Sequence, residues 1–140
     1  MKINLMTDYA VRVICCIYES EKRIVTSNNI SKKKEIPHGV LMKVLRELRE
    51  KKIVVSHQGR GEVTGGYTLG EVAKEITMLD IVETMEGDIV LENIRKKEIK
   101  TIEDIEADAI LREYRRVSQI LRKEMQKKTI YEILKDNKQK

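Results

Sequence analysis

Residues 25–48 read VTSNNISKKKEIPHGVLMKVLREL, and this stretch resolves into two short helices joined by a tight turn. Thr26 or Ser27 can cap the first helix, because a side-chain hydroxyl accepts from a first-turn N–H that has no partner inside the helix. Ile36 and Pro37 end it, since proline disfavours a helical residue before it. From His38 onward Val40, Leu41, Val44, Leu45 and Leu48 recur at the spacing of one buried helical face. Lys43, Arg46, Glu47, Arg49 and Glu50 fall between them, so one side is core and the other is left for a partner.

Charge along the chain supports that division. Net charge is +5, but residues 22–62 carry eleven Lys or Arg against four Glu, residues 71–111 carry five against twelve acidic residues, and residues 112–140 carry ten against four. A charge run is ordinarily a solvated surface. Here the first basic block coincides with the paired helices, as expected of groups that neutralise phosphates of double-stranded DNA. With no Phe or Trp and five Tyr, stacking on unpaired bases is a poor fit, which argues against a single-strand binder.

The chain of 140 residues, 41% of them hydrophobic, suits one core with an added arm. No apolar run approaches the ~20 residues of a membrane span, and no signal peptide is evident, so a cytoplasmic location is expected. Cys15 and Cys16 are adjacent and are the only cysteines, which leaves no disulfide framework and no metal-binding pair; neither a metal nor another cofactor is expected. Two dispersed His and scattered carboxylates form no nucleophile–base constellation, so an enzyme is not expected.

Working outward, Thr7 and Asp8 are placed to cap a first helix ending near Glu19, with Tyr9, Val13, Ile14 and Ile17 inward. After the paired helices, Ile53, Val54 and Val55 and then Tyr67, Thr68 and Leu69 predict a hairpin. Its loop HQGRGEVTGG is polar and glycine-rich, a projecting wing that lacks the strand–loop–helix order of a nucleotide-binding loop. A helix is predicted over 77–86, with Met78, Ile81, Val82 and Met85 inward and Gly87 as its stop. Residues 88–103 carry no assignable pattern. Over 104–127, Ala107, Leu111, Tyr114, Ser118, Leu121 and Met125 form a heptad seam widened by Ile110, Val117 and Ile120. That stripe is wider than a small domain covers, so a dimer contact is expected through Leu111, Tyr114, Val117, Leu121 and Met125. Thr129 caps a last short helix, 130–135, before a fraying tail. The expected fold is mostly α with a small β-hairpin: a winged helix-turn-helix domain over 1–76, then a linker helix and a dimerisation helix with C-terminal tail over 77–140.

In this order, TDYAVRV, IPHGVLMKVLRELREKKIV, GGYTL and ITMLDIVETMEG make the chain resemble the Rrf2 family of bacterial winged-helix transcription regulators across nearly its whole length. The resemblance implies a homodimer on a roughly two-fold symmetric operator, usually acting as a repressor. Many members hold an iron–sulfur cluster through three cysteines placed before the long helix; here the interval 88–105 has none, so a cluster-free regulator is expected. In the nitric-oxide-sensing branch an aspartate matching Asp8 is a ligand, but without the cysteines Asp8 reads as a helix cap. The chain departs from the family pattern at Glu35, where glycine is common in the turn, and at His38, Gly39 and Met42, where base-reading polar residues are usual. Its wing is longer than usual and has Gln58 where Arg is common.

These readings assign DNA contacts to Ser27, Lys33, Lys43, Arg46 and Arg49, mostly at phosphates together with Lys32 and Lys34, with His38 and Lys43 toward base edges. Arg60, helped by His57 and Gln58, is assigned to a minor groove reached by the wing. Cys15 and Cys16 are either small core residues or, as in some cluster-free relatives, a thiol redox sensor, for which Arg12 is the nearby charge in sequence. A small ligand or a partner protein is the other candidate signal. The competing reading is an interaction module that kept the fold and lost specific DNA reading.

Overall fold

The computed structural model describes residues 3–21, 23–61, 65–87 and 102–138. Helix α1 (Leu5–Glu19) is capped by Asn4, whose side chain accepts from the Met6 N–H at 3.0 Å. The expected caps Thr7 and Asp8 lie inside the helix instead. Thr7 is buried and donates its hydroxyl to Glu86 Oε2 at 2.5 Å, while Asp8 sits in the first turn, where a carboxylate suits the helix dipole, and pairs with Arg12 at 2.9 Å.

Thr26 caps α2 (Ser27–Lys34) by accepting from Asn29 N–H. Glu35 then takes a left-handed conformation, φ 54°, and Ser31 closes the turn: its carbonyl accepts from Ile36 N–H at 3.1 Å and its hydroxyl donates to Ile36 O at 2.6 Å. Helix α3 (His38–Glu50) follows from Pro37, burying Leu41, Val44, Leu45 and Leu48 as expected, with Val40 half-buried.

Strands β1 (Val54–His57) and β2 (Gly66–Leu69) form the antiparallel hairpin, in register from Val54 opposite Leu69 to His57 opposite Gly66. Val25 adds a bridge to its outer edge, exchanging both backbone hydrogen bonds with Tyr67 at 3.0 and 2.8 Å. That approach explains Gly66, because a Cβ there would lie 2.5 Å from the Val25 carbonyl oxygen.

After a short 3-10 helix (Glu71–Lys74), α4 (Met78–Glu86) starts with a capping box in which Thr77 and Asp80 satisfy each other's backbone N–H. Its buried residues are Leu79, Ile81 and Val82; Met78 faces out, one position away from the predicted face. The unassigned interval 88–103 lies outside the described residues up to 101, and α5 (Ile102–Met125) begins within its last two positions. Helix α6 (Ile130–Lys138) is longer than expected. Thr129 and Glu132 cap it reciprocally, Ile130 N–H donates to Ile76 O at 2.9 Å, and Tyr131 meets Tyr18 edge to face at 5.1 Å. The start of α6 therefore packs back on the winged region, and the helix runs three residues past the expected end at 135, while residues 139–140 of the expected tail lie outside the described residues.

One core joins these elements: Ala10, Val13, Ile14 and Ile17 of α1 meet Ile30, Ile36, the buried face of α3, Ile53, Val54, Ile76 and Ile81. Burying a large aliphatic side chain stabilises by about 1.5–3 kcal/mol, so this cluster is what holds α3 in place. Among the described residues no helix is long and apolar enough to cross a membrane.

Candidate nucleic-acid interface

The geometry of α2, its turn and α3 follows from the sequence of residues 25–48. Four buried aliphatics lock one side of α3 into the core, so His38, Gly39, Met42, Lys43, Arg46 and Arg49 are all exposed on the rest of its surface. Among the described residues Lys43, Arg46 and Arg49 have no acidic partner, which leaves their charge available to phosphates.

Lys33 and Lys34 differ from that group. Both reach Glu19 Oε2, at 3.3 and 3.5 Å, so one carboxylate of α1 partly neutralises the end of α2. Lys32 is exposed, and Ser27 is the first residue of α2, half-buried, close to the orphan N–H groups of that helix start.

On the hairpin, His57 does not project with the loop. It lies in β1, half-buried, with Nε2 2.7 Å from Thr68 Oγ1, so it braces the base of the wing. Gln58 and Arg60 lie beyond it and are exposed. The structure thus gathers the α3 residues on one helix face and leaves Gln58 and Arg60 exposed in the segment that follows β1.

Arg12 has a role that sequence reading missed. Besides its ion pair with Asp8, its Nη1 donates to Lys34 O at 3.3 Å, satisfying a carbonyl at the end of α2 next to the strained Glu35. The signal was present as a basic residue four positions after an aspartate, but its target on another helix was not local.

The thiols lie elsewhere on α1. Cys16 is buried and Cys15 half-buried. Burial pushes the Cys15 thiol up from its ordinary range, with Lys34 opposing and Glu19 and Cys16 adding to the rise. Burial does the same to Cys16 against Lys33 and Lys34. The charges that reach these sulfurs are therefore these lysines and Glu19, not Arg12. Among the described residues no group of three or more His, Cys, Asp or Glu is gathered to hold a metal ion.

On α5, Ser118 is buried and Leu111, Leu121 and Met125 are half-buried, whereas Ile110, Tyr114, Val117 and Ile120 are exposed large hydrophobics. The seam is thereby split between a side turned to the chain's own fold and an outward apolar stripe.

Comparison with known proteins agrees with this architecture. The sequence profile of the Rrf2 family, described as an iron-dependent transcriptional regulator, matches residues 3–136. HTH-type transcriptional regulators from two strains of Mycobacterium tuberculosis are 28% identical over 88 residues, 62% of this chain and 53% of theirs, so the chain spans about half the length of the curated relatives it matches. Among solved structures, CymR, the global cysteine regulator of B. subtilis, superposes with a TM-score of 0.72 at 20% identity, covering 95% of both chains. A transcriptional regulator from Listeria innocua does so at 0.67 and 26% identity, covering 96% of this chain and 87% of that one. IscR of T. potens gives 0.68 at 20% identity, covering 98% and 88%. With the winged helix-turn-helix in place and the family profile spanning nearly the whole chain, this protein belongs to the Rrf2 family of DNA-binding transcriptional regulators.

Proposed function

We propose that the chain acts as a homodimeric repressor that binds a two-fold symmetric operator without an iron–sulfur cluster. The observation that carries the DNA-binding part of this reading is α3, closed into the core on one side and exposed and basic on the other with no acidic partner among the described residues. In this reading residues 1–76 form the DNA-binding unit and residues 77–140 the dimerisation unit. Lys43, Arg46 and Arg49, with Ser27 and Lys33, position the protein on phosphates; His38 reaches base edges, and Arg60 and Gln58 follow the wing into a minor groove. The outward stripe Ile110, Tyr114, Val117 and Ile120 meets its counterpart on a second copy, since apolar area left in water on one chain is removed from it by pairing.

The donor set does not fit a cluster. Thiolates are the usual anchors, and this chain has only two cysteines, adjacent on α1, one of them buried in the core and both with thiol pKa values pushed up by burial. The same burial weighs against the thiol-sensor reading, because a reactive cysteine needs a lowered pKa and access. A small ligand or protein co-regulator is then the remaining class of signal.

Titrating the purified protein onto the DNA upstream of its own gene, against a scrambled duplex at two salt concentrations, tests the assignment. Specific binding whose affinity falls linearly with log salt is expected. Equal, weak affinity for both duplexes replaces it with the interaction-module reading. Repression is read separately, as loss of transcription in vitro from that promoter on adding the protein.

A further inference from the structure

At 3.6 residues per turn, α3 sets Gly39 and Arg46 near the middle of the face opposite Leu41, Val44, Leu45 and Leu48. Gly39 leaves that face bare, and a Cβ built there would have no heavy atom within 4 Å. Met42 and Lys43, three and four residues on, are its neighbours on the helix surface. Met42 is 40% exposed, the one large hydrophobic of α3 left in water while its other aliphatics are buried or half-buried. A single exposed apolar side chain is ordinary. This one borders a bare backbone position and stands among His38, Lys43 and Arg46, on a face whose charge complements a nucleic-acid groove.

We propose that Met42 reads thymine: its side chain packs on the 5-methyl group of a thymine in the major groove, and the bare Gly39 lets the first turn of α3 come close enough to make that contact. The inference rests on the reading that α3 enters the major groove. Thymine alone presents a methyl group there, so an apolar side chain that offers no hydrogen-bond code still distinguishes one base from the other three. Methionine suits the task because its unbranched thioether adapts to an irregular surface. Lys43, on the other side of Gly39, is left to a guanine or a phosphate, so one turn of α3 carries one apolar and one cationic contact.

The test starts with duplexes selected by the full-length protein from a random library, followed by replacement of each thymine in the enriched motif with deoxyuridine, which removes only the methyl group. At one thymine of the half-site, affinity should fall about four-fold, the equivalent of one methylene-sized apolar group. Met42→Ala should bind the thymine duplex with that same loss and show no further loss on the deoxyuridine duplex. Enrichment of a motif in which no thymine is methyl-sensitive, or in which Met42→Ala stays as sensitive as the parent, overturns the assignment of Met42 and leaves DNA reading by α3 standing. A library that enriches no motif removes both.

Discussion

Arg122 of α5 donates to the carboxylate of Glu83 on α4, and the two side chains are only 34% and 24% exposed. One turn further along α4, Glu86 accepts the Thr7 hydroxyl and the Asn4 N–H of the α1 start, at 2.5 and 3.1 Å. Helix α4 is thus tied by one carboxylate to the long helix and by another to the winged region. Beside α6, whose Tyr131 meets Tyr18, it is a second physical link between the long helix and α1.

For the first of these ties, a double-mutant cycle of Arg122→Ala and Glu83→Gln, followed by urea unfolding, should return a coupling of about 1 kcal/mol, toward the upper end for pairs with partial solvent access. Each single variant should also weaken the operator more than its stability loss accounts for. Additive effects on unfolding would show that the pair does not hold α5.

Glu35 presents a second case. Its φ of 54° puts a residue with a Cβ in the left-handed region, which costs roughly 1–2 kcal/mol, partly offset in a glycine variant by the greater freedom of the unfolded chain. Glu35→Gly should therefore raise stability by up to about 1 kcal/mol in urea or thermal unfolding. By removing a negative charge beside α3 it should also strengthen DNA binding at low salt. A lower unfolding midpoint would mean that the turn is held by Glu35 itself and not despite it.

That turn was legible in sequence because its determinants are local: a hydroxyl at Thr26, a break at Ile36 and Pro37, and a 3.6-residue apolar period after it. What escaped was set by partners far along the chain. Thr7 looks like a helix cap until Glu86, 79 residues away, takes its hydroxyl, and Asn4 then caps α1 instead. On α4 a short apolar run fits several helical phases; packing against the core selected Leu79 over Met78. The return of α6 depends on the Ile76 carbonyl, which no periodicity near Ile130 announces. At the site, exposure of Lys43, Arg46 and Arg49 followed from the same period as the core, whereas the neutralising Glu19 beside Lys33 and the bracing of His57 by Thr68 needed tertiary contacts.

The cysteines make a pH prediction whose sign follows from burial. Both folded-state thiols are raised above the ordinary 9.0, so the protein retains their protons longer than the unfolded chain does. Their contribution to stability is full below that ordinary value and is lost as pH rises through the folded pKa values. The urea midpoint should fall between pH 9 and the folded values by more in the parent than in a Cys15→Ser, Cys16→Ala variant. Alkylation near pH 7 should be slow for both and slower for buried Cys16. Fast labelling of either thiol near pH 7, with reversible loss of DNA affinity on oxidation, would restore the sensor reading.

The outward stripe of α5 offers the most direct test of assembly. Tyr114 and Val117 are 51% and 41% exposed, so neither holds the single chain together, and an aspartate at either position should leave its folding cooperativity intact. In a dimer the same aspartates would be taken out of water against a second apolar face, with no cation of the stripe to meet them, which is costly. On the proposed assembly, Tyr114→Asp with Val117→Asp should therefore sediment as a monomer and the parent as a dimer, with unchanged far-UV circular dichroism. Operator affinity should drop by about a hundred-fold or more, because two half-sites read by linked copies gain from effective concentration and separate copies do not. A double variant that stays dimeric like its parent would move the proposed contact to another surface, and a parent that sediments as a monomer would remove the proposed dimer altogether.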